Sequence, residues 1–218
     1  LLASASIPVI FPPTKLGDEH YVDGGVREIL PLELAFNRLG AGHIFAVVAS
    51  APGVEPMPDA GDRGLFELAR RVTADIAPDE TLRKEMEPPR GWGRRVSLVA
   101  PEFDVHDALT VDRSLIAASI DYGYMRAADV LLGLGPEQTE ISAEIARARM
   151  RIREAEGPVT QLLGPLDDPP AILEDGPKII VAEQARLASL VDRRREAGAP
   201  LPPGDCSFVA AIPPPIAD

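Results

Sequence analysis

The sequence predicts an α/β fold with a mostly parallel sheet and flanking helices, followed by a helical and proline-rich extension. Over residues 1–135, short apolar runs of strand length alternate with segments that carry apolar residues at helical spacing. The run at residues 44–49 is apolar throughout, which is typical of a parallel strand buried on both faces. Residues 136–218 hold two helical patterns and many of the 23 prolines, so the predicted domain boundary lies between residues 135 and 136.

The first 43 residues are predicted to contain one short strand and one helix. Prolines at positions 8, 12 and 13 interrupt an apolar segment and limit it to an edge strand or an extended loop, because proline lacks the N–H that a sheet ladder needs. A short strand at residues 21–22 precedes Asp23-Gly24-Gly25. A helix from Pro31 to Leu39 follows, since proline suits a first helical turn and glycine ends one.

The middle of the chain repeats this alternation after a loop at residues 50–61. Asp62 is expected to cap a helix that extends to Ile76, and a shorter helix is expected over residues 79–87. A strand at residues 96–100 leads to a helix that Asp112 should cap. The predicted buried stripe of that helix consists of Ile116, Ile120, Ala127 and Leu131.

Two helices and a tail make up the predicted extension. In the helix over residues 137–156, glutamates come first and arginines at 147, 149, 151 and 153 follow, the order that the helix dipole favours. We interpret that arginine run as a solvated helix face and not as a lipid head-group site. A second helix starts near residue 180, and the prolines of residues 198–218 are typical of a mobile tail.

Composition limits the classes of partner and the compartment. The net charge of −12 makes nucleic acid and the surface of anionic membranes unfavourable partners. No run of 18 apolar residues occurs that could span a bilayer. The single cysteine, Cys206, forms no internal disulfide and fits a reducing compartment, so we expect a cytoplasmic location. Because the chain starts at Leu1 and not at methionine, export stays open.

Asp23-Gly24-Gly25 is the strongest candidate for chemistry. A carboxylate that follows a strand on a sharp turn faces the crevice where open α/β sheets bind ligands. Gly24 and Gly25 are expected to take positive φ angles and to let the backbone approach another segment closely. The alternative is an ordinary tight surface turn, which is how most such tripeptides are used.

The flanks of this motif extend the pattern. They read Ala-Ser-x-Ser-Ile-Pro-x-x-Phe-Pro-Pro at residues 3–13, Tyr-Val-Asp-Gly-Gly-Val at 21–26 and Pro-Leu-x-x-Ala at 31–35. Together with Val-Ser-Leu-Val-Ala-Pro at 96–101 and with Leu109, Ile116, Gly123-Tyr124 and Ala127, they resemble the patatin-like phospholipase family over the first 135 residues. The resemblance implies a patatin-like three-layer fold, here incomplete.

The resemblance also implies a function. In that family the aspartate of Asp-Gly-Gly partners a serine in a catalytic dyad, which makes Asp23 the general base of a lipid acyl hydrolase (phospholipase A or esterase) and Gly24 and Gly25 its supporting residues. The family's glycine-rich oxyanion loop and Gly-x-Ser-x-Gly nucleophile turn lie upstream of Asp-Gly-Gly, and neither occurs in this sequence. Ser4 and Ser6 are not credible nucleophiles, because no glycine brackets them.

The expectation is therefore the C-terminal piece of a longer catalytic domain, inactive by itself and without a nucleophile of its own. A lipid or ester is the expected substrate, with a transient contact to a membrane surface. Neither a metal nor an organic cofactor is expected, because dyad chemistry needs none and no His, Cys or Asp cluster has ligand spacing. Cys206 has no basic neighbour to activate its thiol. Trp92 is either a membrane-interface residue or a packing anchor.

Two other hypotheses stay open at this point. The first is a Ser–Asp–His triad that uses His106, because nucleophile-elbow hydrolases present their triad in that chain order. His20 and His43 are interpreted as structural. The second is a non-catalytic domain of the same fold, whose helix over residues 137–156 docks a helical protein partner through its apolar stripe.

Overall fold

The computed structural model describes residues 1–8, 11–54, 56–87, 91, 95–106, 110–157 and 176–204. Contacts divide the chain into two compact units, one of residues 1–47 with 52–98 and one of residues 48–51 with the described residues from 99 onward. Strands and helices alternate as predicted, so the α/β class is confirmed at this level, whereas the three-layer patatin-like arrangement stays a prediction.

Four short strands lie within the described residues. β1 (Thr14–Leu16) and β2 (Glu19–Tyr21) form an antiparallel hairpin in which Leu16 faces Glu19. Gly17 lies at the hairpin turn with a φ of 64°, a left-handed conformation that glycine adopts without strain. β3 (Ile44–Val47) pairs with β4 (Val96–Val99) in a small parallel sheet.

The prediction that the third strand is buried on both faces is wrong. Ala46 is buried at 3% exposure, but its neighbours Phe45 and Val47 are 65% and 71% exposed. Successive side chains of a strand point to opposite faces, and the structure covers one face of β3 only. An unbroken apolar run cannot reveal this, since both faces carry apolar side chains.

Helices of the first unit follow the predicted segments with shifted ends. α1 (Leu32–Asn37) buries Leu32 and Phe36. α2 (Leu65–Arg70) continues through a π-helical segment (Arg71–Ile76) into α3 (Ala77–Glu85). Pro78 explains the wide turn, because a proline within a helix has no N–H to bond to the turn before it.

Asp62 is not the cap that the sequence suggested. Gly64 occupies the N-cap position of α2, and Asp62 ends a separate short turn (Ala60–Asp62). The helix therefore starts two residues later than a side-chain cap at position 62 would require.

Three long helices form most of the described part of the second unit. They are α4 (Arg113–Leu131), α5 (Pro136–Ala155) and α6 (Gly176–Glu196), and α5 contacts both of the others. Asp112 caps α4 as predicted, because its Oδ1 accepts hydrogen bonds from the N–H groups of Ser114 at 2.9 Å and Leu115 at 3.0 Å. Burial raises the pKa of the Asp112 carboxyl, but these N–H groups and the Arg153 guanidinium outweigh it and hold that pKa below its ordinary value.

The predicted buried stripe of α4 is instead exposed. Ile116, Ile120 and Leu131 are 37%, 67% and 54% exposed, whereas the opposite side of the helix is buried in the core. α4 is apolar on two faces, and a periodicity argument cannot choose between them. The residues that face the core are Leu115, Ala118, Tyr122 and Met125.

The apolar stripe of α5 is covered. Ile141, Ile145 and Ile152 are at most 6% exposed and belong to a core cluster with residues of α4 and α6. The hypothesis that the helix over residues 137–156 docks a partner through this stripe therefore loses its basis, because the stripe is already buried within the chain.

The arginines of α5 are not a solvated face either. Arg149 is 7% exposed and forms a salt bridge with Asp121 on α4, and Arg153 forms a 2.7 Å salt bridge with the capping residue Asp112. Arg151 holds Glu183 of α6 with two bonds of 2.7 and 2.9 Å, and the Arg147 guanidinium lies 4.7 Å from the Phe103 ring centroid. These cations link the helices of the unit to one another.

A buried ion pair lies at the centre of the second unit. Arg194 of α6 is fully buried and contacts Asp129 of α4 at 2.8 Å and the hydroxyl of Ser142 on α5 at 2.7 Å. The Ser142 hydroxyl lies 2.6 Å from the second oxygen of Asp129. One network therefore joins all three helices.

The predicted mobile tail starts too early. Ala199 is 5% exposed, Pro202 is fully buried, and the carbonyl of Pro200 accepts a 2.9 Å hydrogen bond from Nε of Arg194.

Cys206 and Trp92 lie outside the described residues. The domain boundary between residues 135 and 136 stays a prediction. The two compact units do not divide at this boundary, because α4 and α5 pack against each other within the second unit.

Arg194→Ala should strongly destabilise the helical unit. It removes the nearer of the two guanidinium groups beside the buried Asp129 carboxylate, since Arg126 lies farther away at 3.8 Å from Oδ2. The free energy of unfolding should therefore fall by about 3–5 kcal/mol. Denaturant unfolding followed by far-UV circular dichroism measures the loss. The matched control is Arg193→Ala on the same helix, whose pair with Glu137 is exposed and should contribute about 1 kcal/mol or less. Equal losses in the two variants would contradict the role given to Arg194.

Deleting residues 199–218 should lower the melting temperature by roughly 4 °C or more, because it removes packed residues and an acceptor of Arg194. Deleting residues 203–218 retains those contacts and should lower the melting temperature less. Thermal melts of both deletions test this, and indistinguishable midpoints would show that residues 199–202 add no stability.

Candidate active site

Asp23 lies at the start of a tight turn just after β2. Its backbone is extended, with φ −55° and ψ 131°, and its side chain caps a single 3-10 turn over Gly24–Val26. Oδ1 accepts a 2.7 Å hydrogen bond from the N–H of Gly25. The residue is half-buried, so its carboxylate is oriented by the turn and still meets solvent.

The two glycines serve a different purpose from the predicted one. Neither Gly24 nor Gly25 has a positive φ, so the expectation of a left-handed backbone here is wrong. A Cβ on Gly25 would lie 3.1 Å from Oδ1 of Asp23, whereas a Cβ on Gly24 would meet open space. A side chain at position 25 would move the Asp23 carboxylate by a few tenths of an ångström, so glycine favours its close approach to this N–H.

Ser6 holds the turn from the upstream side. Its carbonyl accepts a 3.0 Å hydrogen bond from the N–H of Asp23. Its hydroxyl lies 3.0 Å from the carbonyl of Leu2 and 2.7 Å from the hydroxyl of Thr14, so it donates to Leu2 and accepts from Thr14. With 4% exposure and both sites occupied, Ser6 positions the turn and is not available as a nucleophile.

Glu85 holds the turn from the downstream side. One oxygen of its carboxylate, Oε2, accepts hydrogen bonds from the N–H groups of Ile29 at 2.9 Å and Leu30 at 2.6 Å. These residues connect the 3-10 turn to α1. The segment that carries Asp23 is therefore attached at both ends to other parts of the first unit.

Sequence reasoning missed the roles of Ser6 and Glu85. Glu85 lies more than 50 residues from its partners, and a glutamate near the end of a helix gives no local signal of a distant backbone contact. The hydroxyl pair of Ser6 with Thr14 spans eight residues and falls between segments without regular periodicity.

The histidines occupy different surroundings. His20 lies in β2 opposite Lys15 and is exposed. Nε2 of His43 lies 3.0 Å from the Ser97 hydroxyl, and its ring packs against Phe45 with centroids 4.8 Å apart. His106 is half-buried in the second unit, whereas Asp23 belongs to the first, so the triad stays a prediction.

The two oxygens of the Asp23 carboxylate differ in their hydrogen bonds. Oδ1 accepts a hydrogen bond from the Gly25 N–H, while Oδ2 accepts no hydrogen bond among the residues that the structure describes.

Within the same residues, no three His, Cys, Asp or Glu side chains are placed to hold a metal ion. None of the helices in the described part of the chain combines the length and the apolar character that a membrane span requires.

Comparison with known proteins gives one finding, and it covers the candidate site. No curated protein and no solved structure matches the chain at a significant level. A protein-family model does match, over a stretch that contains Ser6, Asp23, Gly24 and Gly25 and that is shorter than the 135 residues of the predicted resemblance. Over residues 1–36 the chain matches the patatin-like phospholipases, a family of lipid hydrolases.

Proposed function

We propose that the chain supplies the aspartate of a patatin-like lipid acyl hydrolase, with Asp23 as general base and the nucleophilic serine upstream of residue 1. The observation that carries this proposal is the agreement between the family match and the geometry. The matched residues place a half-buried carboxylate in a capped turn, with one oxygen held and the other without a hydrogen bond among the described residues.

In the proposed reaction the serine hydroxyl attacks the carbonyl carbon of an ester. Asp23 accepts the hydroxyl proton through Oδ2, because an alcohol is a weak nucleophile until a base removes its proton. Backbone N–H groups of an upstream glycine-rich loop stabilise the oxyanion. The proton then passes to the leaving alcohol, and an acyl-serine ester remains.

Hydrolysis of the acyl-serine reverses these roles. Asp23 takes a proton from water, the hydroxide attacks the acyl carbon, and the proton returns to the serine as the fatty acid leaves. Throughout the cycle the hydrogen bond from the Gly25 N–H orients the carboxylate, which keeps Oδ2 directed at one position.

The proposed catalytic domain comprises residues 1–135, and residues 136–218 form an extension that is anchored by the packing of α4 against α5.

The hypothesis of a non-catalytic domain with a docking helix has less support. Its basis was the apolar stripe of residues 137–156, which the structure buries between α4 and α6. The ester-hydrolase proposal uses the part of the chain that the family model matches and does not depend on that stripe.

Asp23→Asn in the protein that includes the upstream serine should lower kcat by roughly 10²–10⁴, the usual contribution of a general base. This corresponds to about 3–5 kcal/mol of transition-state stabilisation. The amide keeps an oxygen for the Gly25 N–H, so the turn should persist and the melting temperature should change little. Steady-state hydrolysis of p-nitrophenyl butyrate, with thermal melts alongside, gives both quantities.

The control for this experiment is Asp18→Asn, which makes the same chemical change at the exposed β1–β2 hairpin turn. It should keep full activity. If the folded Asp23→Asn variant keeps the kcat of the wild type, Asp23 is a turn residue and the proposed function is wrong.

His106→Ala separates the dyad from the triad. If Asp23 acts without a histidine, the variant should keep activity within about tenfold of the wild type. A loss of roughly 10³-fold in kcat with an unchanged melting temperature would show instead that His106 is the general base of a triad.

A further inference from the structure

We infer that Glu85 is a positioning residue for Asp23, which it affects through the backbone of residues 25–30. The inference deepens the proposed function and rests on it. Glu85 does not contact Asp23; it binds the N–H groups of Ile29 and Leu30 through Oε2.

The contact is stronger than an ordinary side-chain hydrogen bond. A carboxylate that accepts from two successive N–H groups makes charge-assisted bonds; the 2.6 Å distance to Leu30 is short for such a pair, and the 2.9 Å distance to Ile29 is ordinary. The two bonds that this one oxygen accepts fix the position and the direction of two successive peptide units, Glu28–Ile29 and Ile29–Leu30. The segment after the turn is therefore held to the end of α3.

Stability of the helix itself does not account for a glutamate here. Glu85 is the last residue of α3, where the negative end of the helix dipole disfavours a carboxylate. Arg83 and Lys84 in the same turn are the residues that the dipole favours. The backbone N–H groups of residues 29 and 30 supply the stabilisation that the helix does not.

The contact reaches Asp23 over a short distance. Ile29 packs close to the turn, since its Cγ1 would lie 3.9 Å from a Cβ on Gly25. The N–H of Gly25 in turn holds Oδ1 of Asp23. Between these two contacts the backbone is bonded to itself, because the N–H groups of Arg27 and Glu28 both donate to the carbonyl of Gly24, at 2.9 and 3.0 Å.

If Ile29 is released, the turn keeps its internal hydrogen bonds, and its hydrogen bond to another segment within the described residues is the one to Ser6. The Gly25 N–H and the carboxylate that it holds should then shift together. Small misplacements of a catalytic group carry large kinetic costs, of roughly 10²-fold for about 1 Å.

Asp79 provides a matched control on the same helix. Its carboxylate also accepts a hydrogen bond from a loop N–H, that of Gly53, and it pairs with Arg83 at 3.1 Å. Asp79→Ala therefore removes a similar contact between α3 and a loop, but the loop is not the one that carries Asp23.

The first measurement is amide hydrogen exchange by NMR on the 218-residue chain. Glu85→Ala should accelerate exchange at Ile29, Leu30 and Gly25 by about tenfold or more. Asp79→Ala should accelerate exchange at Gly53 and leave those three amides unchanged. If Gly25 exchanges at the wild-type rate in Glu85→Ala, Glu85 does not hold the turn and the inference is wrong.

The second measurement is steady-state hydrolysis by the protein that includes the upstream serine. Glu85→Ala should lower kcat by roughly 10- to 100-fold with KM within about twofold, because Glu85 orients the base and does not contact substrate. Glu85→Gln keeps one carbonyl acceptor and should lose less, about three- to tenfold, whereas Asp79→Asn should lose nothing. If Glu85→Ala does not fold, the comparison of Glu85→Gln with Asp79→Asn still tests whether Glu85 positions Asp23.

The outcomes distinguish the two claims. Unchanged kcat in the Glu85 variants, beside a large loss in Asp23→Asn, overturns the positioning inference and leaves the proposed function in place. Full activity in Asp23→Asn overturns the proposed function and with it the catalytic part of the inference. Only a loss in both, with the Asp79 variants active, supports both claims.

Discussion

The buried ion pair between Arg194 and Asp129 is the interaction on which the helical unit depends. Both side chains are essentially inaccessible to water, and the Ser142 hydroxyl lies within hydrogen-bond distance of each. A charge removed from water is costly unless it is fully paired, so α4, α5 and α6 must meet at one register for this network to close. The carbonyl of Pro200 completes the arginine's bonds, which is why the chain stays packed beyond the end of α6.

The first unit is held by a different kind of contact. Among its described residues few apolar side chains are buried, and large side chains such as Phe45, Leu65 and Phe66 are 65–85% exposed. The segments around Asp23 are instead positioned by hydrogen bonds of polar side chains. The hydroxyl of Ser6 forms hydrogen bonds with residues 2 and 14, and the carboxylate of Glu85 accepts hydrogen bonds from residues 29 and 30. Such contacts fix direction as well as distance, a property that apolar packing lacks.

Sequence reasoning predicted which segments are helical and failed on what those helices face. The cap at Asp112 and the spans of α4 and α5 were predictable, because capping and periodicity are local signals. The buried side of α4 was not, because Ile116 and Leu115 lie on two apolar faces and the choice depends on where α5 packs. The same limit explains β3, where Phe45 and Ala46 are both apolar but only Ala46 is covered.

The candidate site shows that limit at a single turn. Asp23 could be identified as a candidate from its neighbours in sequence. Ser6 and Glu85, which hold the segment that carries it, could not be identified, because each accepts a hydrogen bond from the backbone of a residue that is distant from it in sequence. The two interpretations of Asp-Gly-Gly, a tight surface turn and a catalytic motif, also describe one geometry. The bond from the Gly25 N–H to Oδ1 that caps the turn is the bond that orients the carboxylate. A turn that needs one carboxylate oxygen for its own stability leaves the second for chemistry, so the structural role of Asp23 is a precondition for the catalytic role that we propose.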